Sequence, residues 1–306
     1  MNRALALFLA LGVLSASCEQ KRVKEQATAL RMKDDTIPVL VGAGDIADCA
    51  SEGAALTAAL LDSIRGTVFI AGDVAYATKR NPDPLSSCYD GTWGRHRART
   101  RPAPGNHEYD RKFDPMAERY FSYFGDLAGP RGLGYYSYDL GSWHVIAMNT
   151  NIAFAADSPQ HVWLLSDLQA NLGKCTIAYM HHPRFSSGPH DERDQLIPLW
   201  RTFIQYGVSV VVAGHDHMYE RFAPLDADGL RDSVRGIRQF VAGMGGASRY
   251  KVKTRLEGSE AVSSEGFGLL KLSLLAGKYR WEFIPAAGNT FHDSGESTCR
   301  PTRAAD

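Results

Sequence analysis

Residues 67–76 read TVFIAGDVAY, a run of β-branched and apolar residues that closes on a glycine and then presents the Asp73 carboxylate and the Tyr76 phenol. Such a run has the pattern of a buried strand. A ligand-type side chain straight after it stands at the carboxyl edge of a sheet, where open α/β sheets bind their ligands. Three more fragments repeat the arrangement. IPVLV runs into GAGDIA with Asp45, TIAYM into HHP with His181 and His182, and VSVVVA into GHDH with His215 and His217. A fifth fragment, GNHE, adds Asn106 and His107 without so clear a strand before it. Taken singly, each is weak: an aspartate after glycine is usually a turn residue, and a His-His pair usually lies on a surface loop. GHDH is the most specific of the five. All five in one chain, each offering oxygen or nitrogen donors, point to one shared metal centre.

A pair of metal ions about 3.5–4 Å apart can generate a hydroxide nucleophile and clamp a phosphoryl oxygen, provided one carboxylate bridges them. Asp73 is the natural bridge. Tyr76 suits a harder ion than a divalent one, trivalent iron being the obvious choice, because a phenol of pKa about 10 must lose its proton to bind. His215 and His217 diverge in an extended turn, so each can serve a different ion.

The series resembles the calcineurin-like metallophosphoesterase superfamily, and within it the purple acid phosphatases. Many members open with D-x-H; here Asp45-Ile46-Ala47 lacks that histidine. The purple acid phosphatase pattern lacks it too and carries a tyrosine in GDxxY, as GDVAY does. GHDHMYER is similar to that family's GHxHxYER, and VAGMGG to its glycine-rich segment. The likeness spans residues 37–295 and implies two metal ions. Metal one, ferric in that family, would take Asp45, Asp73, Tyr76 and His217. Metal two, as zinc, manganese or ferrous iron, would take Asp73, Asn106, His181 and His215. His107 resembles the histidine that contacts the substrate phosphate and supports the leaving group. His190, nine residues beyond His181, stands where plant members have another phosphate-contacting histidine. His182 occupies a place usually held by a small residue and could bond a ligand or face solvent. The stretch between Cys18 and Asp45 is short, so the N-terminal β-domain of the plant enzymes is not expected in this chain.

The resemblance implies an acid-phosphatase-like phosphomonoesterase in which hydroxide attacks phosphorus in line. No Cys or Ser is placed to form a phosphoenzyme, so direct hydrolysis is expected. Two alternatives stand beside it: a phosphodiesterase acting on nucleotides or phospholipid head groups, and a lipoprotein that binds a phosphorylated ligand without turnover.

The 34 basic and 34 acidic residues of the 306 balance, which gives no long-range pull toward nucleic acid or anionic membrane. Arg3, an apolar stretch from Ala4 to Leu14 and the small residues Ser15-Ala16-Ser17 read as a secretory signal over residues 1–17. Cys18 resembles a lipobox cysteine, although Leu14 and Ser15 depart from that motif. Residues 18–36 then read as a polar tether, and the expected location is outside the cytoplasm: periplasmic, lipid-anchored or secreted. A membrane is expected as a partner only through that lipid. In an oxidising compartment the other four cysteines pair. Cys49 and Cys88 each follow a ligand-bearing strand closely, which favours Cys49–Cys88 and leaves Cys175–Cys299. No CxxC spacing supports a thiolate metal site.

Outward from the motifs, strands are predicted at 37–41, 67–71, 176–180 and 208–213, with a hairpin formed by YYSYDL and WHVIAM. Helices are predicted over 53–64, over 115–124 with Asp114 as N-cap, after Ser158-Pro159 with Val162, Leu165 and Leu168 on its apolar face, and near 195–206. The last third reads as strands. This order predicts an α/β fold of two mixed β-sheets packed as a sandwich and flanked by helices, with the metal site at the carboxyl ends of the strands. The catalytic domain is expected over 37–295, with a tail over 296–306. The loop 77–104 carries Arg80, Arg95, His96, Arg97, Arg99 and Arg101, which could meet an anionic substrate or pair with neighbouring acids.

Overall fold

The computed structural model describes residues 37–190 and 194–300. The expected signal segment, Cys18 and the tether lie outside these residues. Strands and helices are numbered in chain order. One six-stranded sheet runs, from edge to edge, β13 (Ser294–Thr298), β12 (Lys278–Pro285), β11 (Gly268–Leu275), β1 (Val39–Ala43), β2 (Thr67–Ala71) and β3 (Thr100–Ala103). The second sheet has seven strands: β10 (Ser259–Ser263), β8 (Tyr219–Leu225), β9 (Ile237–Ala242), β7 (Val208–Ala213), β6 (Cys175–Tyr179), β5 (Trp143–Ala147) and β4 (Tyr136–Leu140). Both sheets are mixed. Strands β1, β2 and β3 run parallel in the first, and β5, β6, β7 and β9 run parallel in the second.

The two-residue period of a strand explains why the two sheets pack. In β2, Phe69 and Ala71 point into a core shared with Tyr179 of β6 and Val210 and Val212 of β7. Val68 and Ile70 point the other way, onto Ala54, Ala58 and Leu61 of α1 (Gly53–Ser63) and Tyr120 and Phe124 of α2 (Glu118–Phe124). On the far side of the second sheet, Ala178 and Val211 meet Leu164 and Leu168 of α3 (Pro159–Ala170) and Trp200 and Phe203 of α4 (Ile197–Gln205). Strands covered on both faces read as continuous apolar runs, which is why they were legible without alternation. Both expected disulfides, Cys49–Cys88 and Cys175–Cys299, are present.

Several boundaries differ from expectation for identifiable reasons. Helix α2 starts at Glu118 rather than at Pro115, because Ala117 takes a left-handed φ of 54°. Asp114 nevertheless caps it, accepting the N–H groups of Glu118 at 2.9 Å and Arg119 at 2.8 Å. In α3 the buried face is Gln160, Leu164 and Leu168, while Val162 is exposed. Strand β3 hides in the loop 77–104 because it contains Pro102, which a strand tolerates at a sheet edge. The domain does not stop at residue 295: β13 pairs with β12, and Cys299 reaches the core between the sheets.

The cations of that loop divide. Arg95 forms a two-pronged pair with Asp62 at 2.8 Å, joined by His96 at 3.1 Å. Arg99 donates to the carbonyls of Leu61 and Gly66 at the end of α1, and Arg97 lies over the Tyr123 ring. Arg101 donates to the carbonyl of Thr100. These five serve the fold. Arg80 has no such partner among the described residues.

Candidate metal centre

The five ligand-bearing loops leave the carboxyl ends of β1, β2 and β3 in one sheet and β6 and β7 in the other. Backbone bonds tie these ends together. Asp45 N–H donates to Gly72 O at 3.1 Å, and Gly214 N–H donates to His181 O at 2.9 Å. Asp45, Asp73 and His215 all adopt left-handed backbone, with φ of 59°, 50° and 71°. Aspartate tolerates this region better than most residues. The turn swings each side chain back over its strand end. Small residues keep the space open: a Cβ at Gly105 would stand 2.1 Å from Asp73 Oδ1, and one at Gly214 would stand 2.7 Å from Asp45 Oδ2.

The donor atoms fall into two groups. In the first, Tyr76 Oη lies 3.1 Å from both Asp45 Oδ1 and His217 Nε2, which are 3.4 Å from each other. In the second, His181 Nε2 lies 2.9 Å from Asn106 Oδ1 and 3.1 Å from His215 Nδ1. Asp73 stands between them. Its Oδ2 is 3.3 Å from His181 Nε2, and one carboxylate oxygen each of Asp45 and Asp73 falls within 4.8 Å of the other and of His181. The seven residues predicted from the sequence therefore lie together, Asp45, Tyr76 and His217 in one group, Asn106, His181 and His215 in the other, and Asp73 beside His181 and Asp45.

This donor set fits metal ions on proton bookkeeping. His181 Nδ1 is 2.9 Å from the Ala71 carbonyl, so that nitrogen carries a proton and donates it. The remaining nitrogen, Nε2, then faces two acceptor oxygens, Asn106 Oδ1 and Asp73 Oδ2. Either it is protonated as well, or a cation sits among the three. His217 repeats the arrangement, with Nδ1 held on the Ser248 carbonyl and Nε2 facing Asp45 and Tyr76.

Without a cation the electrostatics are those of a crowded ionic cluster. Burial pushes the Asp73 carboxyl up, but His181 and then His107 outweigh it and hold it well below the usual range. Burial pulls His181 down, yet the Asp73 charge carries it up to about 9. Burial and then the His181 charge drive His215 far below an ordinary imidazole. Burial, Asp45 and Asp73 raise the Tyr76 phenol well above its normal value, so only a strongly polarising ion would take it as phenolate.

The expected catalytic histidines sit at the mouth. Asp45, Asp73 and His181 are at most 1% exposed, whereas the His107 and His190 side chains are each 37% exposed. The His107 N–H donates to Asp73 Oδ1 at 2.8 Å, and its ring packs 4.4 Å from that of Tyr76. His190 lies 4.1 Å, ring to ring, from His215, and its Nδ1 is 2.7 Å from Asp216 Oδ1. The structure thus places both beside the donor set, one on each side. His182 faces inward as well: its Nδ1 is 2.7 Å from Thr150 Oγ1, and its ring is 4.6 Å from His215.

Sequence reasoning missed the supports. The buried Glu108 accepts N–H bonds from Asp73 and Val74, both at 2.9 Å, and from Gly105 at 2.6 Å, and so shapes the turn that aims Asp73. Burial and the neighbouring Asp73 charge raise its pKa to about 8, against the pull of those donors. Asp216 orients His190, and Tyr250 stacks on His217 at 4.0 Å. The first two were in view as the last letter of GNHE and the third of GHDH; nothing in the sequence signalled Tyr250.

Residues 39–219 match the family model of calcineurin-like phosphoesterases. Fe(3+)-Zn(2+) purple acid phosphatase 12 of Arabidopsis thaliana is 32% identical over 174 residues, which cover 50% of this chain and 36% of the relative. Acid phosphatase type 7 of Homo sapiens is 32% identical over 146 residues, 40% of this chain and 32% of the relative. The matched stretch thus spans only about a third of these relatives' length. Among solved structures, a purple acid phosphatase from yellow lupin (Lupinus luteus) seeds superposes with a TM-score of 0.71 at 18% identity, covering 86% of this chain and 54% of that one. GAP50, the anchor in the inner membrane complex of Plasmodium, superposes with a TM-score of 0.62 at 15% identity, covering 87% of this chain and 90% of that one. Both likenesses are of fold.

Proposed function

The chain belongs to the calcineurin-like phosphoesterase family, and from that premise we propose that it is an exported phosphatase that hydrolyses phosphate monoesters at a binuclear metal centre. One observation carries the reading: seven donors from five loops meet as two groups of three, with Asp73 between them. Asp45, Tyr76 and His217 would hold one ion, Asn106, His181 and His215 the other, and Asp73 both. Two such ions would polarise the phosphoryl oxygens and lower the pKa of water. Tyr76 favours Fe(3+) in the first position, and the second would be Zn(2+), Mn(2+) or Fe(2+). The Fe(3+)-Zn(2+) name of a relative supports that pairing.

The chain's own residues account for positioning and proton transfer. His107 and His190 flank the donors at the exposed mouth, where a bound phosphoryl group would meet them. Asp216 accepts from His190 Nδ1 at 2.7 Å, which holds the ring beside His215, where it could contact a bound phosphoryl group. His107 is held by its own N–H on Asp73 and can give a proton to the departing alkoxide, as general acids in such positions do. Export is supported by the signal-like residues 1–17 and by two disulfides, which persist outside reducing compartments.

The test is hydrolysis of a chromogenic phosphomonoester against the matching diester, with metal analysis of the same protein. The expected result is two metals per chain and faster turnover of the monoester. Preference for the diester would make it a phosphodiesterase, and turnover of neither would make it a phospholigand-binding protein.

A further inference from the structure

A cavity of about 500 Å³ opens beside Tyr76, outside the ligand set, and its lining includes Cys49, Thr78, Lys79, Arg80 and Asn81. That volume is within the range of small-molecule sites, about 300–1,000 Å³. Residues 78–81 form a small closed loop on its wall. The Thr78 N–H donates to the Asn81 carbonyl at 2.9 Å, and the Asn81 N–H donates to Thr78 Oγ1 at 3.0 Å. The Asn81 side-chain amide is in turn 2.7 Å from both Cys49 Sγ and Ser87 Oγ, beside the Cys49–Cys88 bridge. The tip of the loop, Lys79 and Arg80, is therefore pinned by its base while both cations stay exposed. Neither makes a hydrogen bond or ion pair among the described residues, in contrast to Arg95 and Arg99 of the same segment. One acid, Asp48, also lines the cavity, but its Oδ1 already accepts the Ala50 N–H at 3.0 Å. The cavity is net cationic and shares Tyr76 with the metal centre.

We propose that this cavity is a subsite for the part of the substrate beyond the scissile phosphate, in which Lys79 and Arg80 select phosphomonoesters that carry a second phosphate. The proposal rests on the phosphatase reading of the neighbouring centre. Lys79 and Arg80 follow Tyr76 by three and four residues, so their Cα atoms lie at most roughly 10–14 Å from it. Side chains of their length bring the charged groups within reach of the far phosphate of a sugar bisphosphate. Arginine supplies a planar two-pronged donor for phosphate and lysine a mobile point charge.

The experiment compares fructose 1,6-bisphosphate with fructose 6-phosphate on the metal-loaded full chain and on the Lys79→Ala/Arg80→Ala variant. Both side chains are exposed and unpaired, so the variant should fold and bind metals normally. Wild-type kcat/KM should favour the bisphosphate by about tenfold, the scale of a charge-assisted contact, mainly through a lower KM. The variant should lose that preference and keep its rate on the monophosphate. Equal kcat/KM values in the wild type, or a preference that survives in the variant, would overturn the subsite and leave the phosphatase reading standing. Should neither ester be hydrolysed, the phosphatase reading fails instead, and calorimetric binding of the same two compounds decides the subsite. Tighter binding of the bisphosphate that the variant abolishes keeps it, and equal binding removes it.

Discussion

At the scale of single residues, Asp73 and Tyr76 make the most exposed commitments. Asp73 is the carboxylate between the two donor groups, and Asp73→Asn removes its charge while keeping a residue that accepts left-handed backbone. The variant should fold, lose most of its metal and lose most of its activity; two metals with near-normal turnover would end the bridging assignment. His107→Ala should behave differently. The N–H that steadies Asp73 is backbone and survives, so metal content should hold while kcat falls by ~10²–10⁴-fold. Loss of metal in that variant would make His107 a ligand. Tyr76 is the spectroscopic handle. Buried beside two carboxylates, its phenol resists ionisation, so a phenolate there requires an ion as polarising as Fe(3+). The concentrated protein should then be pink or purple, and Tyr76→Phe should bleach it without unfolding it. A colourless, iron-free wild type fully active with two divalent ions would remove the ferric assignment and leave the family membership untouched.

Among elements, the strand ends decide the site and the loops after them carry it. The loop after β1 and the loop after β2 are joined by Cys49–Cys88 across 39 residues of chain. Closing a loop of that length stabilises by about 3–4 kcal/mol on the chain-entropy account. The Cys49→Ser/Cys88→Ser variant should unfold at a correspondingly lower guanidinium midpoint. It should also show a raised KM, since Asp45 and Tyr76 stand on the loops it frees. An unchanged midpoint would mean that the bridge contributes nothing beyond local packing. The elements that were legible share one property: β1, β2, β6 and β7 are covered on both faces, and their apolar runs are continuous. Strands β3 and β13 lacked that signal because they are edge strands, one holding Pro102 and the other alternating between exposed and half-buried residues. Helix α2 was placed three residues early because the Asp114 and Pro115 signals are real while the chain makes one more turn at Ala117 before the helix begins.

At the scale of the whole molecule, the proposed export makes its own prediction. Two disulfides suit an oxidising compartment, and a Cys18→Ser variant tests the proposed lipid anchor. If Cys18 is lipidated, the variant should lose lipid labelling and move from the membrane to the soluble exported fraction. Unchanged membrane association would discard the lipid anchor. Among the described residues no helix is long and apolar enough to cross a membrane.

The sequence alone supplied the candidate donors. Metal chemistry restricts ligands to a few side chains, and a glycine-terminated apolar run marks where a strand delivers one, which brought Asp45, Asp73, Tyr76, His181, His215 and His217 into view; GNHE added Asn106 and His107, and the family resemblance implied which of these would be ligands. The sequence also carried the family resemblance and, through their position after ligand strands, the pairing of Cys49 with Cys88. Only the tertiary structure gives the distances between those donors, because two sheets bring together loops far apart in the chain, as in the bond from the His215 N–H to Asp45 across 170 residues. It also decided which charges are spare. Arg95, Arg99 and Arg80 look alike in one dimension, and only packing shows that Asp62 and the end of α1 take the first two and leave Arg80 facing a cavity. Hydrogen bonds and ion pairs are short-ranged, so their partners are set by folding rather than by order along the chain.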